Sequence, residues 1–284
     1  MSVTWRGVPD PPIPPLTGPQ RLRATLRIAA LLSCIGVALA IFLALRLPER
    51  ALHGARRPWT PRLKRWGFAA TLAIIGLRLH RRGEPFRGLG AQVANHTGWL
   101  DIWVLNAASE VTFVSKAEVR GWPVLGWMAA ISGTVFISRR RADAAEQQVA
   151  LTDRLLAGET LVFFPEGTST DGRRVLPFKS TLFATFLAPG LEDARIQPVS
   201  LAYHAPEGER ADVYGWWGGM TMGPHLLRVL ALPRRGAVEV LYHRPIAVAG
   251  LRDRKALARR CEAAVRSGLD GARGFPDPVS ATAR

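Results

Sequence analysis

The sequence predicts an α/β fold, with a mainly parallel or mixed sheet covered by helices and preceded by an N-terminal membrane helix and an interfacial helix. From Gly88 onward, short apolar runs typical of strands alternate with longer segments of helical pattern, and this alternation predicts the α/β class. Two uncharged runs stand ahead of it, from Ile28 to Leu45 and from Trp66 to Leu77, and they predict the two N-terminal helices.

The run Ile28–Leu45 is long enough to cross a membrane. At 1.5 Å per residue it extends about 27 Å as a helix, close to the thickness of a hydrocarbon core. A membrane span or deep anchor is the favoured interpretation because arginines flank the run, although arginines at both ends leave its orientation open. A signal peptide cleaved near Ala38 or Ala40 is an alternative, but the run is long and starts late. A buried helix is the third interpretation.

The run Trp66–Leu77 is too short to span. Basic residues precede and follow it, which is typical of a helix that lies at the membrane interface with its tryptophan at headgroup level. The alternative is a core helix of the domain that follows.

These patterns divide the chain into five segments. They are a disordered Pro-rich tail (1–24), a membrane helix (25–47), an interfacial helical segment (48–87), an α/β domain (88–272) and a flexible tail (273–284). Within the domain, strands are predicted near 89–94, 111–115, 133–138, 160–164, 196–203 and 237–242. Helices are predicted near 99–107, 142–157, 178–188 and 253–267, and the aromatic stretch 216–225 is either an interfacial lid or a packed loop.

The net charge of +16 favours anionic partners, either nucleic acid or acidic lipid. No nucleic-acid-binding module is recognisable, so we expect membrane lipid as the partner and no nucleic acid. The two cysteines, Cys34 and Cys261, predict neither a disulfide framework nor a metal cluster, and no histidines have ligand spacing. We therefore expect no metal.

The segment Asn95–Asp101 (Asn-His-Thr-Gly-Trp-Leu-Asp) stands between a predicted strand and a predicted helix. His96 falls where the strand ends, a position from which a side chain can face a cleft. On one ideal helix His96 and Asp101 point about 140° apart, so they meet only if His96 lies in the turn. A carboxylate beside an imidazole suits a general base. The structural alternative is that Thr97 caps the helix and Asp101 only adds charge to its first turn.

A second motif follows the apolar run 161–164, which is typical of a buried strand. The run ends in Pro165-Glu166-Gly167-Thr168, a turn that carries a carboxylate and a hydroxyl. Two strand ends with such side chains are typical of a site at the edge of an open α/β sheet.

Together, Asn-His-x-x-x-x-Asp and, about 65 residues later, Phe-Pro-Glu-Gly-Thr resemble the paired motifs of the glycerolipid acyltransferase family. Its best-known members are bacterial 1-acyl-glycerol-3-phosphate acyltransferases, and the resemblance covers roughly residues 90–205. It implies that His96 removes the proton from an alcohol as that alcohol attacks an acyl thioester, while Asp101 orients the imidazole. The segment 88–272 would then be the acyltransferase domain.

The resemblance also implies an acceptor site. A block ending at Arg139 resembles the family's second block, whose terminal arginine would contact the acceptor's phosphate. Lys116 matches a lysine that is common in the family. Glu166 and Thr168 would help to hold the glycerol-phosphate end, and Gly167 would allow close backbone approach. For Arg139 and Lys116 the alternative is an exposed cation with no such role.

The chain departs from the commonest family pattern after Thr168. Many members continue with Arg-Ser, whereas this chain has Ser169-Thr170-Asp171-Gly172-Arg173-Arg174. A phosphate-binding arginine is therefore missing, or Arg173 replaces it from the next turn. A relative that acts on lyso-ornithine lipid, whose head group carries no phosphate, would tolerate this change.

The resemblance implies acyl transfer from acyl-CoA or acyl-carrier protein, as co-substrate, to the free hydroxyl of a lysolipid, with no cofactor. The first expectation for the acceptor is 1-acyl-glycerol 3-phosphate, giving phosphatidate in phospholipid biosynthesis, and lyso-ornithine lipid is the alternative. The non-enzyme alternative is a basic, membrane-bound lipid-binding protein with a degenerate site, but His96, Asp101 and Glu166 are all retained. The implied location is the bacterial cytoplasmic membrane, with the catalytic domain facing the cytoplasm.

Overall fold

A computed structural model describes residues 5–54, 59–121, 126, 129–130, 133–138, 140, 143–251 and 253–273 of the chain. The strands among them form one mixed sheet in the spatial order β1-β7-β6-β2-β5-β3-β4, with β8 paired to β6. In chain order the strands are β1 (Leu77–Arg82), β2 (Gly90–Ala94), β3 (Thr112–Lys116), β4 (Val135–Ile137), β5 (Leu161–Phe163), β6 (Arg195–His204), β7 (Gly236–Tyr242) and β8 (Ile246–Ala247). This sheet, with helices on both sides, confirms the predicted fold class.

Strands β2 to β6 run parallel, whereas β7 is antiparallel to β6 and β1 is parallel to β7. The register pairs Val93 of β2 with Phe163 of β5 on one side and with Pro198 of β6 on the other. Because β2 and β5 are parallel and end beside each other, the residues that follow them leave the sheet at the same edge.

The α-helices of the described segments are α1 (Gly18–His53), α2 (Thr60–Ile75), α3 (Leu100–Ala108), α4 (Ala144–Leu156), α5 (Met222–Ala231) and α6 (Arg254–Arg273). Buried side chains of α2, α3 and α5 belong to a hydrophobic cluster on one face of the sheet. Those of α4 and α6 belong to the cluster on the other face. The helix predicted near 178–188 is instead a short 3₁₀ segment, Leu182–Leu187. Pro177 and Pro189 flank this segment and leave little length for an α-helix.

Helix α1 is longer than the predicted segment 25–47. It contains an 18-residue window of mean hydropathy 2.8, none of which is buried, so by length and composition it can cross a membrane. Helix α2 packs between α1 and α3. Its side chains Leu72 and Ile75 are buried, whereas Trp66 is 71% exposed, so α2 covers the domain with one face only. Gly76, with φ +86°, ends the helix one residue before β1.

A buried carboxylate fixes the turn between α1 and α2. Glu49, near the end of α1, accepts hydrogen bonds from the backbone N–H groups of Trp59 and Thr60 at 2.7 and 3.1 Å. It also accepts one from the Thr60 hydroxyl at 2.9 Å. These bonds satisfy N–H groups at the start of α2, which a helix cannot satisfy internally. The two helices are therefore joined as a hairpin.

The N-terminal segment differs from the predicted disordered tail 1–24. Residues 18–24 form the first turns of α1, and the described residues 5–17 have no helix or strand and lie against the α/β domain. Their proline content predicts an extended chain, but not its contacts. Trp5 and Asp10 supply long-range contacts that composition cannot reveal. We refer to residues 5–10 as the N-terminal strap.

Candidate active site

The site forms where β2 and β5 end. Asn95 and His96 follow β2, and the turn Phe164–Gly167 follows β5. Two backbone hydrogen bonds tie the loops around the site: the N–H of Thr170 donates to the carbonyl of His96, and the N–H of Trp216 donates to that of Thr97, both at 2.9 Å. The two sequence motifs thus meet at one sheet edge, as predicted.

His96 lies in the turn and Asp101 lies in the first turn of α3. His96 Nδ1 is 2.7 Å from Asp101 Oδ2, which confirms the predicted contact between the two side chains. A carboxylate can only accept this hydrogen bond, so Nδ1 carries the proton and Nε2 has the lone pair. Nε2 has no hydrogen-bond partner among the described residues, and the His96 side chain is 22% exposed. The nitrogen suited to accept a proton is therefore the one left open.

The Asp101 carboxylate is fully buried and held from several directions. Its Oδ2 also accepts the backbone N–H groups of Thr97 and Gly98, at 2.6 and 2.9 Å. Its Oδ1 accepts the hydroxyl of Tyr203, from β6, at 2.7 Å. Burial raises the pKa of Tyr203 well above its ordinary range, and the adjacent Asp101 charge raises it further, so Tyr203 remains a neutral donor.

Glu166 is placed behind His96 rather than in the open part of the site. Its Oε1 accepts the backbone N–H of His96 at 2.7 Å, and its Oε2 accepts that of Leu176 at 2.9 Å. Burial raises the pKa of Glu166 from 4.5 to about 8, against the lowering effect of these two donors. The resemblance implied that Glu166 binds the acceptor, but its geometry is that of a brace for the His96 backbone.

The imidazole is also held by an aromatic ring. Phe164 stacks on His96 with ring centroids 4.0 Å apart and an angle of 11° between the planes. This contact and the Asp101 hydrogen bond fix the ring plane, so that Nε2 keeps one direction.

Two cations converge on Gly167, which has φ +70°. Lys116, at the end of β3, donates to the Gly167 carbonyl at 2.8 Å. Lys179 Nζ lies 2.8 Å from the position that a Cβ on residue 167 would occupy, so a side chain there would displace the ammonium group. The structure thus brings the predicted Lys116 to the motif and adds Lys179, which the sequence did not single out for the site. Arg139, the other predicted cation, lies outside the described residues.

Thr168 contacts the N-terminal strap. Its hydroxyl accepts the backbone N–H of Trp5 at 3.1 Å. The opposite side of the strap is fixed to the loop after β6, because Gly218 N–H donates to the Trp5 carbonyl and Trp217 Nε1 donates to the Val8 carbonyl. The strap therefore joins the Glu-Gly-Thr turn to the 216–219 loop.

The two arginines of the 169–174 loop differ in their ion pairing. Arg174 forms a bidentate ion pair with the buried Asp171, at 3.2 and 2.8 Å, and its guanidinium lies 5.0 Å from the ring centre of Trp5. Ser169, which stands where many family members have arginine, donates its hydroxyl to the Trp216 carbonyl. On this loop only Arg173 is exposed and has no ion pair with a residue that the structure describes.

Comparison with known proteins agrees with this geometry. The family model described as Acyltransferase matches residues 89–202. A lyso-ornithine lipid O-acyltransferase of Rhodobacter capsulatus is 51% identical over 266 residues, which are 93% of this chain and 96% of that protein. A protein of the same name from Brucella abortus is 39% identical and aligns with 75% of this chain and 84% of its own length.

The fold is shared with a solved structure. The crystal structure of the 1-acyl-sn-glycerophosphate acyltransferase PlsC from Thermotoga maritima aligns with a TM-score of 0.59 and 19% identity, over 90% of this chain and 99% of that chain. At this identity the likeness shows the fold alone. The matches to relatives with 51% and 39% identity cover most of the chain, and they establish its family. The chain therefore belongs to the glycerolipid acyltransferase family and is an O-acyltransferase.

Proposed function

We propose that this chain transfers an acyl group from a thioester to the free hydroxyl of lyso-ornithine lipid, with His96 as general base. The observation that carries the chemistry is the pair formed by His96 Nδ1 and Asp101 Oδ2 at 2.7 Å, which leaves Nε2 open. The observation that supports lyso-ornithine lipid as the acceptor is the 51% sequence identity, over nearly the whole chain, to a protein that is named for this acceptor.

In the proposed reaction, His96 Nε2 removes the proton of the acceptor hydroxyl as the hydroxyl oxygen attacks the thioester carbonyl carbon. The resulting imidazolium is stabilised by the Asp101 carboxylate. The C–S bond then breaks, the C–O ester bond remains, and the thiolate takes the proton from His96. The products are an ester and a free thiol, and no covalent enzyme intermediate is required.

The chemistry of the 169–174 loop supports an acceptor without phosphate. The head group of lyso-ornithine lipid carries a carboxylate and an ammonium group. A phosphate would favour a bidentate arginine, but the position directly after Thr168 is Ser169 and Arg174 pairs with Asp171, so of the two arginines on this loop only Arg173 is left to contact a phosphate. Lys116 and Lys179, beside Gly167, supply point charges that suit a single carboxylate.

The first expectation from the sequence was 1-acyl-glycerol 3-phosphate, and the names of the more similar relatives favour the alternative acceptor. The test is to offer lyso-ornithine lipid and lysophosphatidate to the purified protein side by side, with one labelled acyl thioester. We expect label in ornithine lipid and background label in phosphatidate. The reverse result, or label in neither product, would overturn the proposed acceptor.

His96→Ala tests the proposed base. A positioned general base contributes about 10²–10⁴-fold, so we expect activity to fall by about that factor while thermal stability changes little. His80→Ala, at an exposed histidine on β1, is the matched control and should keep full activity. Full activity in His96→Ala would remove the base from the mechanism.

The acyl donor and the location complete the proposal. We propose acyl-CoA or acyl-carrier protein as donor and the cytoplasmic membrane as location, with the domain on the cytoplasmic side. The long apolar helix α1 supports membrane association. Protease treatment of spheroplasts and of inverted vesicles tests the orientation, since only the inverted vesicles should expose the domain to cleavage.

A further inference from the structure

A cavity of about 320 Å³ lies away from the catalytic motifs, where α2 ends and β1 begins. Five apolar side chains line most of it: Ala69, Leu72, Ala73, Leu77 and Leu79. Ala69 and Ala73 are one helical turn apart on α2 and both are exposed, so the cavity is an open groove along the helix. An apolar groove of this kind accepts a hydrocarbon chain.

Arginines stand at the end of this groove. Arg78 and Arg235 form part of its lining. Arg27 Nη2 lies 2.9 Å from the position that a Cβ on Gly76 would occupy, and Arg235 Cγ lies 3.8 Å from it, so both side chains stand beside Gly76. Arg27 donates only to backbone carbonyls, and within the described segments none of the three arginines forms an ion pair. The groove therefore combines an apolar floor with arginines that no carboxylate of the described segments neutralises.

The groove is continuous with the surface expected to face lipid. Arg27 immediately precedes the uncharged run of α1, which places the arginine group at the level where a membrane's hydrocarbon core gives way to its head groups. Exposed apolar side chains of α1, such as Leu26 and Leu32, lie at the same end of the run. From there α2 runs back along α1, so the groove extends from head-group level toward the hydrocarbon.

We propose that this groove binds one anionic phospholipid of the surrounding membrane. One acyl chain lies along Ala69 and Ala73, and the phosphate is held by Arg27, Arg78 and Arg235. A zwitterionic lipid brings its own positive charge to the arginines and binds more weakly. The inference rests on the membrane association of α1 and is independent of which acceptor the enzyme acylates.

Native mass spectrometry of the full-length protein in detergent, with added phosphatidylglycerol or phosphatidylcholine, tests the proposal. We expect one tightly retained phosphatidylglycerol. Each arginine near an anionic lipid contributes about fivefold in affinity, so Arg235→Ala and Arg78→Ala should each weaken retention by about that factor. Arg234→Ala is the matched control because Arg234 is the chain neighbour of Arg235 and pairs with Glu207.

Ala73→Leu tests the apolar part of the site separately. Leucine is a good helix former and Ala73 is exposed, so the variant should fold while its side chain fills the groove. We expect it to lose phosphatidylglycerol although all arginines remain. Equal loss in Arg234→Ala and Arg235→Ala, or unchanged retention in Ala73→Leu, would overturn the proposal and indicate non-specific attraction. Acyl transfer in phosphatidylcholine micelles should be unchanged in Arg235→Ala, which separates this site from the catalytic one.

Discussion

Asp101 accepts four hydrogen bonds, from His96 Nδ1, the N–H groups of Thr97 and Gly98, and the Tyr203 hydroxyl. Three of the four converge on Oδ2, and the side chain is fully buried. A charged acceptor with this many donors is rigid, because moving it would leave several buried polar groups unpaired. Asp101 therefore positions the imidazole of His96, and in the proposed mechanism its charge also stabilises the protonated form of this base.

Asp101→Asn separates these two roles. The asparagine oxygen can keep the three bonds of Oδ2, so the position of His96 should change little, but the charge that stabilises the imidazolium is lost. In a serine protease the equivalent change lowers kcat by about 10⁴-fold, and we expect a loss of about 10²–10⁴-fold here. The measurement is kcat with a saturating acceptor.

The control is Asp153→Asn, which makes the same chemical change at an exposed position of α4. Activity within about twofold of wild type in Asp101→Asn would show that the charge of Asp101 does not contribute.

Glu166 predicts a pH dependence of stability. Its pKa is raised from 4.5 to about 8 in the folded state, so the folded protein holds a proton there that the unfolded chain releases. The stabilisation from this group is complete below pH 4.5, and it is lost as pH rises to about 8. We expect the unfolding midpoint of wild type to fall over this range relative to that of Glu166→Gln, which cannot ionise.

Glu166→Gln itself should be the less stable protein at pH 5, because its amide NH₂ faces one of the two backbone N–H donors. The difference in midpoint should then shrink toward pH 8. A constant difference across this range would mean that Glu166 is ionised throughout in the folded protein.

Residue patterns predicted part of this site. The contact between His96 and Asp101 was predictable because the two residues are only five positions apart, with a turn between them, so it depends on local sequence alone. Tyr203 was not predicted because it is 102 residues from Asp101 in the chain, and only the β6 register brings it there. The hydrogen bonds that Glu166 accepts from the N–H groups of His96 and Leu176 were not predicted either, since a motif gives the residue type and not the direction of its side chain.

Among the elements, the N-terminal strap makes the least expected contacts with the site. Its Trp5 meets Thr168, Arg174 and Trp217, and its Asp10 accepts the Gly219 N–H at 2.7 Å. Because these partners lie on two separate loops, the strap holds both loops in one arrangement beside the proposed acceptor site. Loosening the strap should therefore weaken acceptor binding more than it slows the chemical step.

Trp5→Ala tests this role of the strap. A cation–π contact is worth about 0.5–1 kcal/mol, which corresponds to about 2- to 5-fold in a binding equilibrium. We expect KM for the acceptor to rise by about that factor with kcat nearly unchanged. Arg6→Ala, at an exposed residue of the strap, is the control and should leave KM as it is. A fall in kcat alone would place Trp5 in the chemical step instead.

Strong apolar patterning decided which elements could be predicted. The six predicted strands correspond to β2–β7 within two residues at each end. Strand β1, Leu-Arg-Leu-His-Arg-Arg, was missed because its charged residues lie at an exposed sheet edge. Helix α5 was missed because Gly223 and Pro224, in its first turn, are read as loop signals although proline is tolerated there.

Across the whole molecule, two arginines connect the long apolar helix α1 to the α/β domain. Arg23 donates to the Ala231 carbonyl at 2.8 Å, and Arg27 donates to those of Leu230 and Leu232 at 2.9 and 3.0 Å. These carbonyls are at the C-terminal end of α5, where a helix leaves carbonyls unsatisfied and favours positive charge. The start of α1 is therefore packed on the folded domain.

Arg23→Gln should weaken this connection. A hydrogen bond from a charged donor is worth about 1.5–3 kcal/mol, and in a chain of this size each kcal/mol shifts the melting temperature by about 2–4 °C. We expect a lower melting temperature in detergent with unchanged partition into membranes. Arg21→Gln is the control, because Arg21 donates only to the nearby Leu16 carbonyl. An equal shift in both variants would contradict the connection.

The position of the strap has a practical consequence for protein production. An affinity tag fused ahead of Met1 would join the chain four residues before Trp5, next to the turn that carries Thr168. Such a fusion would add chain beside the proposed acceptor site, and we expect it to raise the KM for the acceptor.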